Sequence, residues 1–257
     1  MSRAAPIPSF RPSTAEGVPD CFLANVRAGQ PVLVALHGIS RNAAEIASRF
    51  AAHPAFEGVT IVAPLFTRER FGKYQQLLTR KADETPSDVG LVGLLASLKP
   101  ELGGGVERIL LFGFSGGAQM AHRFAMFHPD KVARLCVVSA GWYCMPVPDL
   151  PYPYGIGNDS GQPQVQARFV DIPTAVMVGN RDTRVDASVR QDALILQHQG
   201  RNRLRRARAW VSSVEKFGKM HGRPARIRLL TLPAMSHDFS DCARNGNLID
   251  LVAEAIF

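Results

Sequence analysis

Within the stretch 108–122, Arg-Ile-Leu-Leu-Phe-Gly-Phe-Ser-Gly-Gly-Ala-Gln-Met-Ala-His, the hydrophobic pattern changes its period. Residues 109–112 are an unbroken apolar run, which suits a buried strand. Beyond Ser115, the residues Ala118, Met120, Ala121, Phe124 and Ala125 follow helical spacing. A strand that passes into a helix over so short a turn crowds its own backbone, so the residues two before and two after the apex must lack side chains. Gly113 and Gly117 occupy those places. The apex residue, Ser115, is pushed off the end of the strand, and the Gly116 N–H falls at a helix N-terminus, where an anion is well placed. A serine in such a turn is either a helix cap or a presented hydroxyl, and partners elsewhere in the chain decide which.

The remainder of the chain repeats this alternation. Short apolar runs at 32–36, 59–63, 135–139, 174–178 and 227–232 read as strands. Between them lie helical patterns. One opens at Asn42 with Glu45 and carries Ile46 and Phe50. Another begins at Ser87, carries Leu91, Leu94, Leu95 and Leu98, and is expected to stop at Pro100. A last one places Leu248, Leu251, Val252, Ala255 and Ile256 on a single face. Strands alternating with amphipathic helices imply an α/β fold, a mostly parallel sheet with helices on both faces, and the 257 residues suit a single domain. Residues 1–30, broken by Pro6, Pro8, Pro12 and Pro19, are expected to be irregular or edge-strand, with 21–26 a short strand. Residues 65–86 carry no clear pattern. Gly103, Gly104 and Gly105 precede a strand and lack the Gly-Lys-Ser/Thr ending of a phosphate loop, so they read as a linker.

Ligand sites in such sheets form at the carboxyl ends of the strands. At those ends stand His37-Gly38, Ser115, Trp142-Tyr143, Gly179-Asn180-Arg181-Asp182 and Ser236-His237. A serine, an acid and a histidine thus share one rim in the order Ser115, Asp182, His237, which is the chain order of α/β-hydrolase triads. With Leu-His-Gly, Gly-Phe-Ser-Gly-Gly, Gly-Asn-Arg-Asp and a late Ser-His, the sequence resembles the α/β-hydrolase superfamily over nearly its whole length. Within it, the chain is most similar to bacterial esterases and to depolymerase-like or dienelactone-hydrolase-like members. It differs from secreted polyester depolymerases in showing no signal peptide and no substrate-binding module. The resemblance implies Ser115 as nucleophile, His237 as base and Asp182 as the residue orienting it, with Asp186 as the rival acid. It also implies an oxyanion hole formed by the backbone N–H groups of Ile39 and Gly116, with His37 bracing its loop.

Residues 141–170 interrupt the alternation. Rich in proline at first and without helical period, they are expected to form a short loop-type lid instead of a helical cap. Phe114 beside the serine, together with Trp142 and Tyr143, are candidate substrate-binding residues, and Tyr152 and Tyr154 are candidates to line the same pocket. The alternative is that the aromatics only pack the loop down.

The net charge of +8 concentrates at Arg201, Arg203, Arg205, Arg206 and Arg208. The apolar residues Leu204, Ala207, Val211, Val214 and Phe217 mark the buried face of a helix there, so the arginines are expected on its solvated face. No nucleic-acid module accompanies them. No apolar run reaches the ~18 residues of a membrane span, and residues 1–20 lack the apolar core of a targeting signal, so a cytoplasmic protein is expected. Cys21, Cys136, Cys144 and Cys242 are scattered and read as reduced thiols, and the sequon at Asn158 is discounted. No metal and no cofactor are expected. The partner implied is a small-molecule ester, with no nucleic acid or membrane, and the oligomeric state is open. The activity expected is a carboxylesterase acting on small or short-chain esters through an acyl-enzyme. An acyltransferase, thioesterase or peptidase would use the same triad, and a binding protein on a hydrolase scaffold is the alternative from another class.

Overall fold

The computed structural model describes residues 7–157 and 164–257, so the sequon at Asn158 lies outside the described residues. The chain runs through β1 (Ser9–Arg11), β2 (Asp20–Ala24), β3 (Val32–Leu36), α1 (Ala43–Ala51), β4 (Thr60–Leu65), α2 (Ser87–Leu102) and β5 (Ile109–Phe114). It continues through α3 (Gly116–Phe127), β6 (Val132–Val138), β7 (Thr174–Gly179), α4 (Ala193–Gln199), α5 (Arg203–Met220), β8 (Ile227–Leu232), α6 (Phe239–Asn245) and α7 (Leu248–Ile256). The strands form one sheet in the order β1-β2-β4-β3-β5-β6-β7-β8. The pairs β1–β2 and β2–β4 are antiparallel, and all others from β4 to β8 are parallel.

Side-chain alternation along the strands divides the core in two. Val34 and Leu36 of β3, Leu111 of β5 and Val137 of β6 face a layer built from α2, α3 and α5. Leu33 and Ala35 of β3, Phe112 of β5 and Met177 of β7 face the opposite layer, built from α1, α6 and α7. The central strands are apolar throughout because both their faces are covered. β8, at the sheet edge, is only partly buried. All four cysteines are free and buried.

Two expectations need correction. Helix α2 does not stop at Pro100 but contains it and ends at Leu102. A proline in the last turn breaks only one ladder bond, and the buried Leu98 and Leu102 hold the helix against the core. The helical run Ser87–Val106 is also long and apolar enough to span a membrane, with a mean hydropathy of 1.2. Its leucine face is spent inside the protein, where Leu91, Leu94, Leu95, Leu98 and Leu102 pack under the sheet.

Candidate active site

The turn at Ser115 is as tight as the glycines require. A Cβ on Gly113 would lie 2.3 Å from the Gly117 carbonyl oxygen, and one on Gly117 would lie 2.2 Å from that of Leu36. Ser115 itself is held at φ +54°, ψ −111°, a conformation that non-glycine residues rarely adopt and that costs about 1–3 kcal/mol. Its N–H donates to Val138 O at 2.9 Å and its carbonyl accepts from Gln119 N–H at 3.1 Å, which pins the apex between β6 and α3.

Three side chains meet there. His237 Nε2 lies 2.9 Å from Ser115 Oγ, and its Nδ1 lies 3.0 Å from Asp182 Oδ2. An ionised carboxylate only accepts, so Nδ1 carries the proton and Nε2 presents its lone pair to the serine hydroxyl. The Phe114 ring stacks on the imidazole with centroids 5.3 Å apart. The loops that carry Asp182 and His237 are tied together: Arg181 N–H donates to Met235 O, and Ala234 N–H to Asn180 Oδ1. The rival Asp186 is exposed and accepts from the Ser188 backbone and hydroxyl, while Asp238 caps α6 through Asp241 N–H.

The second strand end is equally fixed. Phe66 N–H donates to His37 Nε2 at 3.0 Å, so the imidazole proton sits on Nδ1 and goes to Gly38 O at 2.8 Å. Burial pushes the His37 pKa down to about 4, which keeps this brace neutral. Tyr74, from a single helical turn (Tyr74–Gln76) in the stretch that carried no sequence pattern, donates to His37 O at 3.0 Å. Arg41 closes the turn by donating to Ile39 O and Phe66 O. The backbone N–H groups of Ile39 and Gly116 take no acceptor among the described residues, and both residues line the space around Ser115 or border it.

Asp182 has a partner that sequence reading missed. Arg203 Nη1 lies 3.1 Å from Asp182 Oδ1, and both side chains are almost fully buried. Removing either charge would leave the other buried and alone, at a cost of about 3–5 kcal/mol. The expectation of a solvated arginine face is therefore corrected for two residues. Arg203 and Arg206 are buried, whereas Arg201, Arg205 and Arg208 are exposed. Arg206 donates to the carbonyls of Gly141, Arg190 and Gly200, which binds three loops to the start of α5. Their signal was present: Arg203, Arg206, Ala207, Trp210, Val214 and Phe217 fall on one helical face.

A cleft of about 680 Å³ opens onto Ser115 and His237, walled by Ile39, Phe114, Trp142, Gln75 and Gln119 among others. The Oε1 atoms of Gln75 and Gln119 are buried without a hydrogen-bond partner among the described residues. Trp142 is held against the Arg123 guanidinium, 4.4 Å from its ring centroid. Tyr143 is a correction: it lies away from the cleft, fully buried and stacked on Trp210 at 5.0 Å. Trp142 and Tyr143 lie in the irregular chain beyond β6, and that loop sends the first ring to the cleft and the second under Trp210. Tyr152 and Tyr154 pack the loop down, Tyr152 by donating to Gln76 O and Tyr154 to Asp192 at 2.8 Å. Of residues 141–157, only Gly141 and Trp142 line the cleft, so this loop is a side wall more than a cover.

No family model and no curated protein matches the sequence. Solved structures do. The chain is similar to poly(aspartic acid) hydrolase-1 from Sphingomonas sp. KT-1, with a TM-score of 0.80 and 19% identity over 98% of each chain. It is similar to the poly(3-hydroxybutyrate) depolymerase from Bordetella parapertussis, with a TM-score of 0.75 and 22% identity over 94% of this chain and 88% of that one. An S-formylglutathione hydrolase from Agrobacterium tumefaciens matches at a TM-score of 0.62 and 14% identity, over 100% and 98% of the two chains. The sheet order, the helices on both its faces and these likenesses agree on one architecture, and the chain has the α/β-hydrolase fold.

Proposed function

We propose that the protein is a serine hydrolase that cleaves small or short-chain carboxylic esters through an acyl-enzyme. The observation that carries this reading is the unbroken line Asp182–His237–Ser115, with His237 Nε2 2.9 Å from Ser115 Oγ. Ser115 Oγ attacks the ester carbonyl as its proton passes to His237 Nε2, and Asp182 stabilises the imidazolium that results. The carbonyl oxygen, now an oxyanion, takes hydrogen bonds from the N–H groups of Gly116 and Ile39, which are already in place before the substrate arrives. His237 returns the proton to the leaving alcohol. A water molecule then repeats the sequence in reverse and frees the acid. The cleft, walled by short loops and with polar Gln75 and Gln119 beside the serine, suits a compact acyl group better than a long alkyl chain.

The test is fluorophosphonate labelling of the wild type and of Ser115→Ala, alongside turnover of p-nitrophenyl esters, thioesters and aminoacyl amides. The wild type is expected to label and to prefer esters, and the variant to lose labelling and about 10⁴-fold or more of its turnover. Equal labelling of both would remove Ser115 as nucleophile. A dominant amide or thioester rate would replace the esterase reading with a peptidase or thioesterase one.

A further inference from the structure

The arginine-rich segment 201–208 is left unused by the reaction as written, yet one of its members touches the triad. Asp182 uses Oδ2 for His237, and its other oxygen, Oδ1, accepts from Arg203 Nη1 at 3.1 Å. Arg203 is itself anchored, since Nη2 donates to Ser188 Oγ at 2.8 Å and Ser188 Oγ in turn donates to Asp186 Oδ1 at 2.6 Å. It stands in the first turn of α5, capped by Asn202, which accepts from Arg205 N–H.

We propose that Arg203 is a positioning residue of the triad: it fixes the Asp182 carboxylate so that Oδ2 faces His237, and its charge tempers the carboxylate as a counter-ion for the imidazolium. The proposal rests on the hydrolase reading given above.

The torsion that turns a carboxylate has a broad minimum, so an aspartate held by one hydrogen bond can swing. With an ion pair on Oδ1, swinging breaks a buried contact, and the carboxylate stays put. The charge acts separately. As His237 takes the proton from Ser115, Asp182 stabilises the cation, and Arg203 on the far oxygen partly cancels that stabilisation. The other groups around the line do not substitute for it. Asp186 and Asp238 flank His237 near the protein surface, and Phe114 offers only a ring face. Tyr143 and Cys242 feel Asp182 but are held protonated by burial, the Cys242 thiol being pushed up to about 11. Arg206 lies beside Arg203 and spends its donors on carbonyls.

These two roles predict opposite-looking effects of one substitution. A neutral side chain at 203 frees the carboxylate to turn, which lowers kcat. It also leaves a stronger counter-ion, so the imidazole keeps its proton to higher pH and the acid limb of the rate profile moves up. A merely structural arginine would lower kcat, if at all, without moving that limb.

The experiment uses the full chain. Turnover of p-nitrophenyl acetate by the wild type and Ser115→Ala comes first, and an inactive wild type would defeat the hydrolase reading before Arg203 is touched. Then kcat and KM are measured from acid to alkaline pH for the wild type, Arg203→Gln and Arg203→Lys, with folding checked by circular dichroism. Gln removes the charge and is too short to keep the guanidinium's contact with Oδ1, and Lys keeps the charge and a donor of similar reach. Arg203→Gln is expected to lose roughly 10- to 100-fold in kcat with little change in KM, and its acid limb to rise by roughly half to one pH unit. Arg203→Lys is expected to keep the wild-type acid limb and to retain kcat within about 10-fold of wild type. An acid limb unmoved in Arg203→Gln, or moved equally in Arg203→Lys, overturns the proposal. If the Gln variant does not fold, Arg203→Met, neutral and of similar length, takes its place: an acid limb that rises supports the role of the charge, and an unmoved one overturns it.

Discussion

Replacing Gly117 by alanine tests whether the close approach of α3 to the end of β3 builds the candidate active site. A Cβ there would lie 2.2 Å from Leu36 O and 2.6 Å from His37 O, where ordinary contact begins at 3.4 Å. Both obstacles are backbone, and neither can rotate aside. The start of α3 must therefore withdraw from β3 by about 1 Å, in an interior packed too densely to absorb it. Overpacking of this kind costs up to about 3 kcal/mol. For a chain of this size that lowers Tm by roughly 6–12 °C. The same displacement separates the Gly116 N–H, carried on α3, from the Ile39 N–H, carried on the loop after β3. A misplacement of about 1 Å at reacting groups costs on the order of 10²-fold in rate. The assay is thermal unfolding by circular dichroism together with kcat for p-nitrophenyl acetate, measured well below both transitions. A variant that melts within about 2 °C of wild type and turns over at the wild-type rate would refute the reasoning on both counts.

Two further outcomes follow from burial. Burial pushes His37 down to about 4 and His122 well below its ordinary value of 6.5, so both are neutral in the folded protein while the unfolded chain protonates near 6.5. Between pH 6.5 and about 4 the unfolded state binds more protons, so the contribution is full above that window and is lost as pH falls through it. Each histidine accounts for up to about 1.4 kcal/mol per pH unit. Urea unfolding is expected to give a stability about 3 kcal/mol lower at pH 5 than at pH 7, and a flat profile would contradict the neutral buried state. The Tyr143 hydroxyl is buried with no hydrogen-bond partner among the described residues. Tyr143→Phe is expected to leave kcat and KM unchanged and to hold or raise stability by about 1 kcal/mol, and a several-fold rise in KM would return Tyr143 to the substrate pocket.

Much of the site was legible because its signals are local or ordinal. Gly113 and Gly117 flank Ser115 at the spacing a strand-to-helix turn demands, and the atoms they would crowd are those of their own turn and of β3. Asp182 and His237 were legible through chain order and through the apolar runs before them, which became β7 and β8. Other readings failed where a neighbour distant in sequence decides. Pro100 reads as a stop until Leu98 and Leu102 are seen buried on the core side of α2. Trp142 and Tyr143 are equivalent on paper, and only the path of the loop beyond β6 sends one to the cleft and the other under Trp210. Residues 65–86 carry no periodicity, yet Phe66 and Tyr74 brace the loop of Ile39 through single hydrogen bonds to His37.

By itself the sequence determined the alternation of strands and helices, the tight turn that presents Ser115, and the placing of Asp182 and His237 at the strand ends that meet it. Those follow from periodicity and from backbone sterics, which act over a few residues. The tertiary structure alone decided that Arg203 stands on the second oxygen of Asp182, 21 residues away, and that Arg206 reaches Gly141, 65 residues away. Whether an arginine is solvated or buried depends on whether the fold brings it an acceptor strong enough to replace water, and that acceptor comes from another part of the chain.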